Sequence, residues 1–193
     1  MPKKIFVWTA HPQKGSLCEA IADAYETGAQ KAGAEIRRMN LADMDFSDGF
    51  GGYADAPTLE PDLIAWQEAM AWADHIFIVH PYWWGAMPAR AKTVFDRGLT
   101  PGFAYKYHGN SFKWDKMLSG KTADAVITSD TPPFYDVLFY RKPARRVLKN
   151  QVLGFCGIQL MNIVQFGSVK KANEGKIRSW LSKTERLGTR AAA

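Results

Sequence analysis

The chain has 193 residues, of which 47% are hydrophobic, enough for a full core within one domain spanning 1–193. A net charge of +6 admits nucleic acid, an anionic membrane surface or a phosphorylated cofactor as partner. However, Lys and Arg are spread out, with pairs such as Arg141-Lys142, Arg145-Arg146 and Lys170-Lys171, no nucleic-acid motif is present, and the excess reads mainly as solvated helix faces. Cys18 and Cys156 have neither disulfide-framework nor zinc spacing, no leader-like segment opens the chain, and no run nears the roughly 20 apolar residues of a membrane span, so a cytoplasmic protein is expected.

In chain order, the first strand is Lys4–Thr9, followed by Ala10-His11-Pro12-Gln13-Lys14-Gly15-Ser16-Leu17-Cys18-Glu19 and a helix over 16–31. Ser16 is a natural N-cap, and Glu19 three residues on completes a capping-box pattern. A plain well-capped helix is the bland reading. The sharper one is an anion site in which free N–H groups at the helix start, the Ser16 hydroxyl and His11 bind a phosphoryl group. The loop is neither G-x-G-x-x-G nor a Walker A sequence. A second strand is expected at 34–39, an irregular segment at 43–60 and a helix at 61–73.

The apolar run 75–79 is the third strand, and after it stands His80-Pro81-Tyr82-Trp83-Trp84-Gly85-Ala86-Met87-Pro88, which leads into a helix over 88–98. Rings held where a parallel strand ends are placed to stack on a flat aromatic ligand, because such sheets bind ligands outside the carboxyl ends of their strands. The alternative is ordinary packing, as it is for His80, which can simply satisfy backbone groups. Thr100 to Gly120 is irregular and aromatic. Its Phe103, Tyr105, Tyr107, Phe112 and Trp114 suit either an acceptor pocket or a surface hairpin buried by dimerisation. Then come a strand Thr122–Thr128, an irregular 129–141, a helix 142–155, a strand Gln159–Phe166 and a helix 172–187, with the final Thr-Arg-Ala-Ala-Ala expected to fray. Alternation of five strands with helices predicts an α/β, doubly wound parallel sheet of flavodoxin type, order 2-1-3-4-5, with helices on both faces.

On these blocks the chain resembles the flavodoxin-like NAD(P)H:quinone oxidoreductase family, a group of quinone reductases, modulators of drug activity and ancillary subunits of potassium efflux systems. The carriers are Ala10-His11-Pro12 with Ser16, the 80–88 block with Lys92 and Phe95-Asp96-Arg97, then Gly102-Phe103-Ala104-Tyr105 and Phe155-Cys156-Gly157. The resemblance implies a noncovalent flavin, NADH or NADPH as hydride donor, ping-pong two-electron reduction of quinones or similar acceptors, and a homodimer with its active sites at the interface. FMN is preferred over FAD, since the segment after Phe166 runs straight into the last helix and leaves little chain for an adenine pocket.

Carried over by position, His11, Ser16 and Leu17 hold the flavin phosphate region, and Cys18 joins the cofactor-binding set without a catalytic role. Pro81, Tyr82, Trp83, Trp84 and Gly85 contact the ribityl chain and ring, Thr128, Ser129 and Asp130 meet the pyrimidine edge, and Tyr105 lines a site shared across the dimer. The family's Thr-Thr-Gly-Gly-type loop with a following tyrosine and histidine is replaced here by Thr128-Ser-Asp-Thr-Pro-Pro-Phe-Tyr135, with no histidine after it. Backbone amides after Thr128, the Tyr135 hydroxyl and Arg141 are the candidate donors to negative charge at that edge, and Asp130 is expected to turn its carboxylate into a loop cap. The alternative function is a flavin-binding ancillary subunit of a membrane transporter. A hydrolase is excluded by the lack of a G-x-S-x-G elbow.

Overall fold

The computed structural model describes residues 1–53, 58–109 and 112–193, so part of the expected irregular segments 43–60 and 100–120 lies outside the described residues. Strands β1 (Lys4–Thr9), β2 (Glu35–Asn40), β3 (His75–Pro81), β6 (Thr122–Thr128) and β7 (Gln159–Phe166) form one parallel sheet in the order β2-β1-β3-β6-β7. Leaving aside a separate hairpin of β4 (Tyr105–Tyr107) and β5 (Trp114–Lys116), this is the expected 2-1-3-4-5 order. The fold is flavodoxin-like.

Period-two alternation divides the core between the two faces of the sheet. Phe6, Trp8, Ile76 and Ile78 meet Leu63 and Trp66 of α2 (Pro61–Trp72) and Phe95 of α3 (Ala89–Gly98), where Trp8, Trp66 and Phe95 pack edge to face. Ile5, Val7, Phe77 and Val79 point the other way, onto α1 (Leu17–Lys31) and α7 (Glu174–Ala192). There α1 and α7 touch backbone to backbone, because a Cβ at Gly28 would collide with the Glu185 carbonyl and one at Gly188 with that of Tyr25.

Four expectations are corrected. The segment 129–141 contains a helix, α4 (Pro133–Leu138), started by Pro132-Pro133 and hidden from periodicity because its apolar side chains point outward. The 100–120 segment, expected to be irregular, holds the β4–β5 hairpin, one of the two arrangements expected for its aromatic residues; its three-residue strands are too short to show alternation. The helix expected over 142–155 is three pieces: α5 (Pro143–Arg146), a π-helical stretch Val147–Leu153, and α6 (Gly154–Cys156), with Gly154 N–H bonded to Lys149 C=O. The C-terminal alanines do not fray; Ala191 and Ala192 continue α7 and pack on the α1 face. No helix among the described residues is long and apolar enough to cross a membrane.

Candidate functional site

At the carboxyl end of β1 the chain turns into α1. Ser16 caps the helix by accepting the Glu19 N–H (3.3 Å), while the Glu19 carboxylate accepts Gly15 N–H (2.6 Å), one residue short of the reciprocal capping-box bond. His11 Nδ1 accepts the Gln13 N–H (3.1 Å), which puts the imidazole proton on Nε2. Burial lowers its pKa below the usual 6.5 and favours the neutral ring. With the cap made by its oxygen, the Ser16 hydroxyl proton stays available. The N–H groups of Ser16, Leu17 and Cys18 have no partner among the described residues, at the positive end of the α1 dipole. Cys18 Sγ lies 3.4 Å from Thr128 Oγ1, and burial pushes its thiol up to about 12, so it contributes packing and an amide, not a thiolate.

The second wall is the loop after β3. Tyr82 N–H bonds to Thr128 O (2.7 Å), and Trp83 and Ala86 exchange both backbone hydrogen bonds (2.9 and 3.0 Å) across Trp84 and Gly85. Trp84 (φ +50°) and Gly85 (φ +81°) are both left-handed, the arrangement of a type I′ turn. Gly85 adopts it freely; Trp84 is strained, and such outliers gather at ligand sites. The turn leaves Trp84 fully exposed and Trp83 half-exposed, edge-on to His11 at 5.7 Å between ring centres.

The third wall follows β6. Ser129 gives its N–H to Phe166 O (2.8 Å) and its hydroxyl proton to Thr131 O (2.8 Å), so both its donors are committed. Asp130 accepts the Lys170 N–H (2.9 Å) and pairs with Lys170 Nζ (3.2 Å), which together hold its carboxyl below the usual range. It caps as expected, but across to the turn Val169–Lys171 beyond β7. Its own N–H and that of Thr131 have no partner among the described residues.

These three walls enclose a cleft of about 350 Å³. It joins His11, Ser16, Leu17 and Cys18 to Pro81, Tyr82 and Trp83 and to Thr128, Ser129 and Asp130, all named from sequence. It adds Gln13, Val169 and Lys170, which were not. Trp84, Gly85, Tyr105, Tyr135 and Arg141 lie outside its walls. Trp84 borders a second, largely apolar cavity of about 470 Å³ that shares Trp83 with the cleft and also touches His80, Met87 and Lys92. Tyr105 borders a third, of about 500 Å³, with Phe95 and Phe155. Tyr135 sits exposed on α4 against Phe139 and Tyr140, and exposed Arg141 takes a left-handed φ of +58° after that helix.

His80 is fully buried, and burial pushes its pKa down to about 4. Its ring bonds Pro81 O (2.8 Å) through Nδ1, which must carry the proton because a carbonyl only accepts. Nε2 is thus a bare acceptor without a partner among the described residues, in a residue that borders the apolar cavity. Among the described residues no group of three or more His, Cys, Asp or Glu is placed to hold a metal ion.

Comparison with known proteins agrees with the fold. The Flavodoxin_2 family, described by its flavodoxin-like fold, matches residues 3–186. An uncharacterized NAD(P)H oxidoreductase from Haemophilus influenzae is 28% identical over 187 residues, covering 91% of each chain. The solved NAD(P)H:quinone oxidoreductase from Methanothermobacter marburgensis superposes with a TM-score of 0.82 at 21% identity, over 98% of this chain and 97% of that one. An FMN-dependent NADH-azoreductase from Bacillus anthracis, solved in complex with FMN, has a TM-score of 0.76 at 17% identity and covers 99% of this chain and 100% of its own.

Proposed function

Since the chain belongs to the Flavodoxin_2 family, we propose that it is a flavin-dependent NAD(P)H oxidoreductase that reduces quinones or similar acceptors by two electrons. The observation that carries this reading is the coincidence, in one cleft, of unpartnered donors at the start of α1 with the aromatic turn after β3. A phosphate monoester fits the first and a flat ring the second.

When bound, the flavin supplies the hydride chemistry between NAD(P)H and the acceptor. The protein's part is binding and orientation. Ser16, with the Ser16, Leu17 and Cys18 amides and His11 Nε2–H, holds the phosphate; Pro81, Tyr82 and Trp83 guide the ring, and Thr128, Ser129 and Asp130 shape its far edge. Because both Ser129 donors are committed, the donors free to meet negative charge at that edge are the Asp130 and Thr131 amides. FMN is the cofactor we favour, in keeping with the FMN held by the azoreductase of the same fold.

The cavity beside Trp83 and Trp84 is where we place the nicotinamide and the acceptor in turn. The bare His80 Nε2 suits the carboxamide N–H of the one and the hydroxyl of the reduced other. Tyr105, Tyr135 and Arg141 belong to this acceptor side. A second copy of the chain, lying over the exposed rings of α4, completes the reading as a homodimer.

The test is a visible spectrum of the purified protein followed by anaerobic NADPH. A flavin spectrum that bleaches at once is the expected result. A chromophore that stays oxidised favours an ancillary subunit, and a colourless protein that takes up neither FMN nor FAD overturns the proposal.

A further inference from the structure

Helix α4 is built inside out. Phe134 and Leu138, with Phe139 just past its end, are each more than 60% exposed, while its only buried side chain is that of Asp136, at 1%. A helix does not normally turn apolar residues to water and a carboxylate inward, because a buried carboxylate must find compensating partners.

Its partners lead to the cleft. Asp136 Oδ1 accepts the Tyr82 hydroxyl (2.8 Å), and Oδ2 lies 4.0 Å from Arg145 Nε. Arg145 in turn gives Nε–H and Nη2–H to the Gln165 side-chain oxygen (3.1 and 2.7 Å). That fixes the amide so that Gln165 Nε2 donates to Ser129 Oγ (3.0 Å), whose proton goes to Thr131 O. Tyr82 and Ser129 stand on two different walls of the cleft. Burial, followed by the Asp136 carboxylate, raises the Tyr82 phenol above its usual range, so it stays a donor.

We propose that Asp136 is a positioning residue: with Arg145 it locks Tyr82 to the Gln165–Ser129 pair, so that the loops after β3 and β6 are held as one rigid frame around the flavin. Arg145 is the cation of this frame, at a wall where the sequence has no histidine. The inference rests on the flavin reading. It identifies a carboxylate that touches no ligand yet sets the shape and charge of the site.

The experiment uses the full chain, with FMN affinity read by quenching of flavin fluorescence and the midpoint potential of bound FMN by dye-coupled reduction. Asp136→Ala, which removes the acceptor that an Asn oxygen would keep, and Tyr82→Phe are each expected to weaken FMN binding on the order of tenfold. The double variant is expected to be no worse than the weaker single one, because each change breaks the same link. Arg145→Gln is expected to lower the potential and Asp136→Asn to raise it, since the first removes a positive charge and the second a negative one. Lys149→Gln, an exposed cation on the same helical stretch, leaves it unchanged. Additive losses, or variants that lose thermal stability while affinity and potential stay at wild-type values, overturn the inference alone. A wild-type chain that takes up neither FMN nor FAD overturns the flavin reading and this inference together. If the Asp136 variants fail to fold, Arg145→Gln still decides through its potential.

Discussion

The two ends of the central sheet treat their polar groups in opposite ways. At the amino end, Tyr25, His75, Thr122, Asp124 and Asn162 close on one another. His75 bonds Thr122 Oγ1 (2.7 Å) and the Tyr25 hydroxyl (2.9 Å), while Asp124 accepts Tyr25 (3.2 Å) and Asn162 (2.7 Å). His75, Tyr25 and Asp124 are buried, and none of their polar atoms lacks a partner. At the carboxyl end, Thr9 Oγ1 and His80 Nε2 are buried without partners among the described residues, the first amides of α1 are free there too, and Trp84 and Ser168, in the loops after β3 and β7, take left-handed backbone conformations. One end completes its own hydrogen bonding and serves as scaffold. The other leaves donors, acceptors and strain for a ligand to resolve.

The largest test of this contrast is Asp124→Ala. It strips Tyr25 and Asn162 of their shared acceptor in a buried site and should cost about 3–5 kcal/mol of stability in urea unfolding. FMN affinity of the folded protein should not change. A loss of affinity comparable to that at the carboxyl end would show that the two ends are not separate.

Next in size is the pH dependence set by His80. Burial lowers its pKa to about 4, so between that value and the unfolded 6.5 the unfolded chain binds a proton that the folded one refuses. Stability from this residue is complete above pH 6.5 and is lost as pH falls toward 4, by about 3 kcal/mol in all. His80→Phe should flatten the denaturation profile over that window. An unchanged slope would mean that another group carries it.

Much of the fold was legible because β1, β3 and β6 are buried on both faces and α1 and α7 carry side-chain caps at Ser16 and Asn173. What escaped did so for physical reasons. Helix α4 inverts the apolar pattern on which helix recognition depends, and the alanines at the C-terminus gain their order from α1, which no local signal reveals. In the candidate cleft, Pro81, Tyr82 and Trp83 and the residues at the start of α1 come together as expected because neighbours in sequence remain neighbours in space, whereas Trp84 and Gly85 lie outside its walls. Lys170 reaches Asp130 from a turn beyond the next strand. Its only trace was the Lys170-Lys171 pair, which reads equally well as a solvated surface. Asp136 and Arg145 meet only through the packing of two short helical segments.

Trp83→Ala tests whether the exposed turn is ligand surface or core. As ligand surface it should weaken FMN by about 1–3 kcal/mol, the usual worth of a ring stacked on a flat base, with little change in unfolding midpoint. The reverse result, lost stability with FMN binding retained, would move Trp83 to the scaffold.

The smallest effect separates the two ends within one residue, because Ser16 does both jobs. Its oxygen caps α1 through Glu19 N–H, while its hydroxyl proton is free for the cleft. Ser16→Ala removes both, and should cost about 1 kcal/mol of stability and weaken FMN binding. Ser16→Asp restores the cap, and with it the stability, but sets a negative charge against the phosphate. FMN binding should then fall below that of the alanine variant, while riboflavin, which has the ring and no phosphate, binds all three proteins alike. If riboflavin weakens in step with FMN, the start of α1 does not hold the phosphate, and the free amides there must serve another part of the ligand.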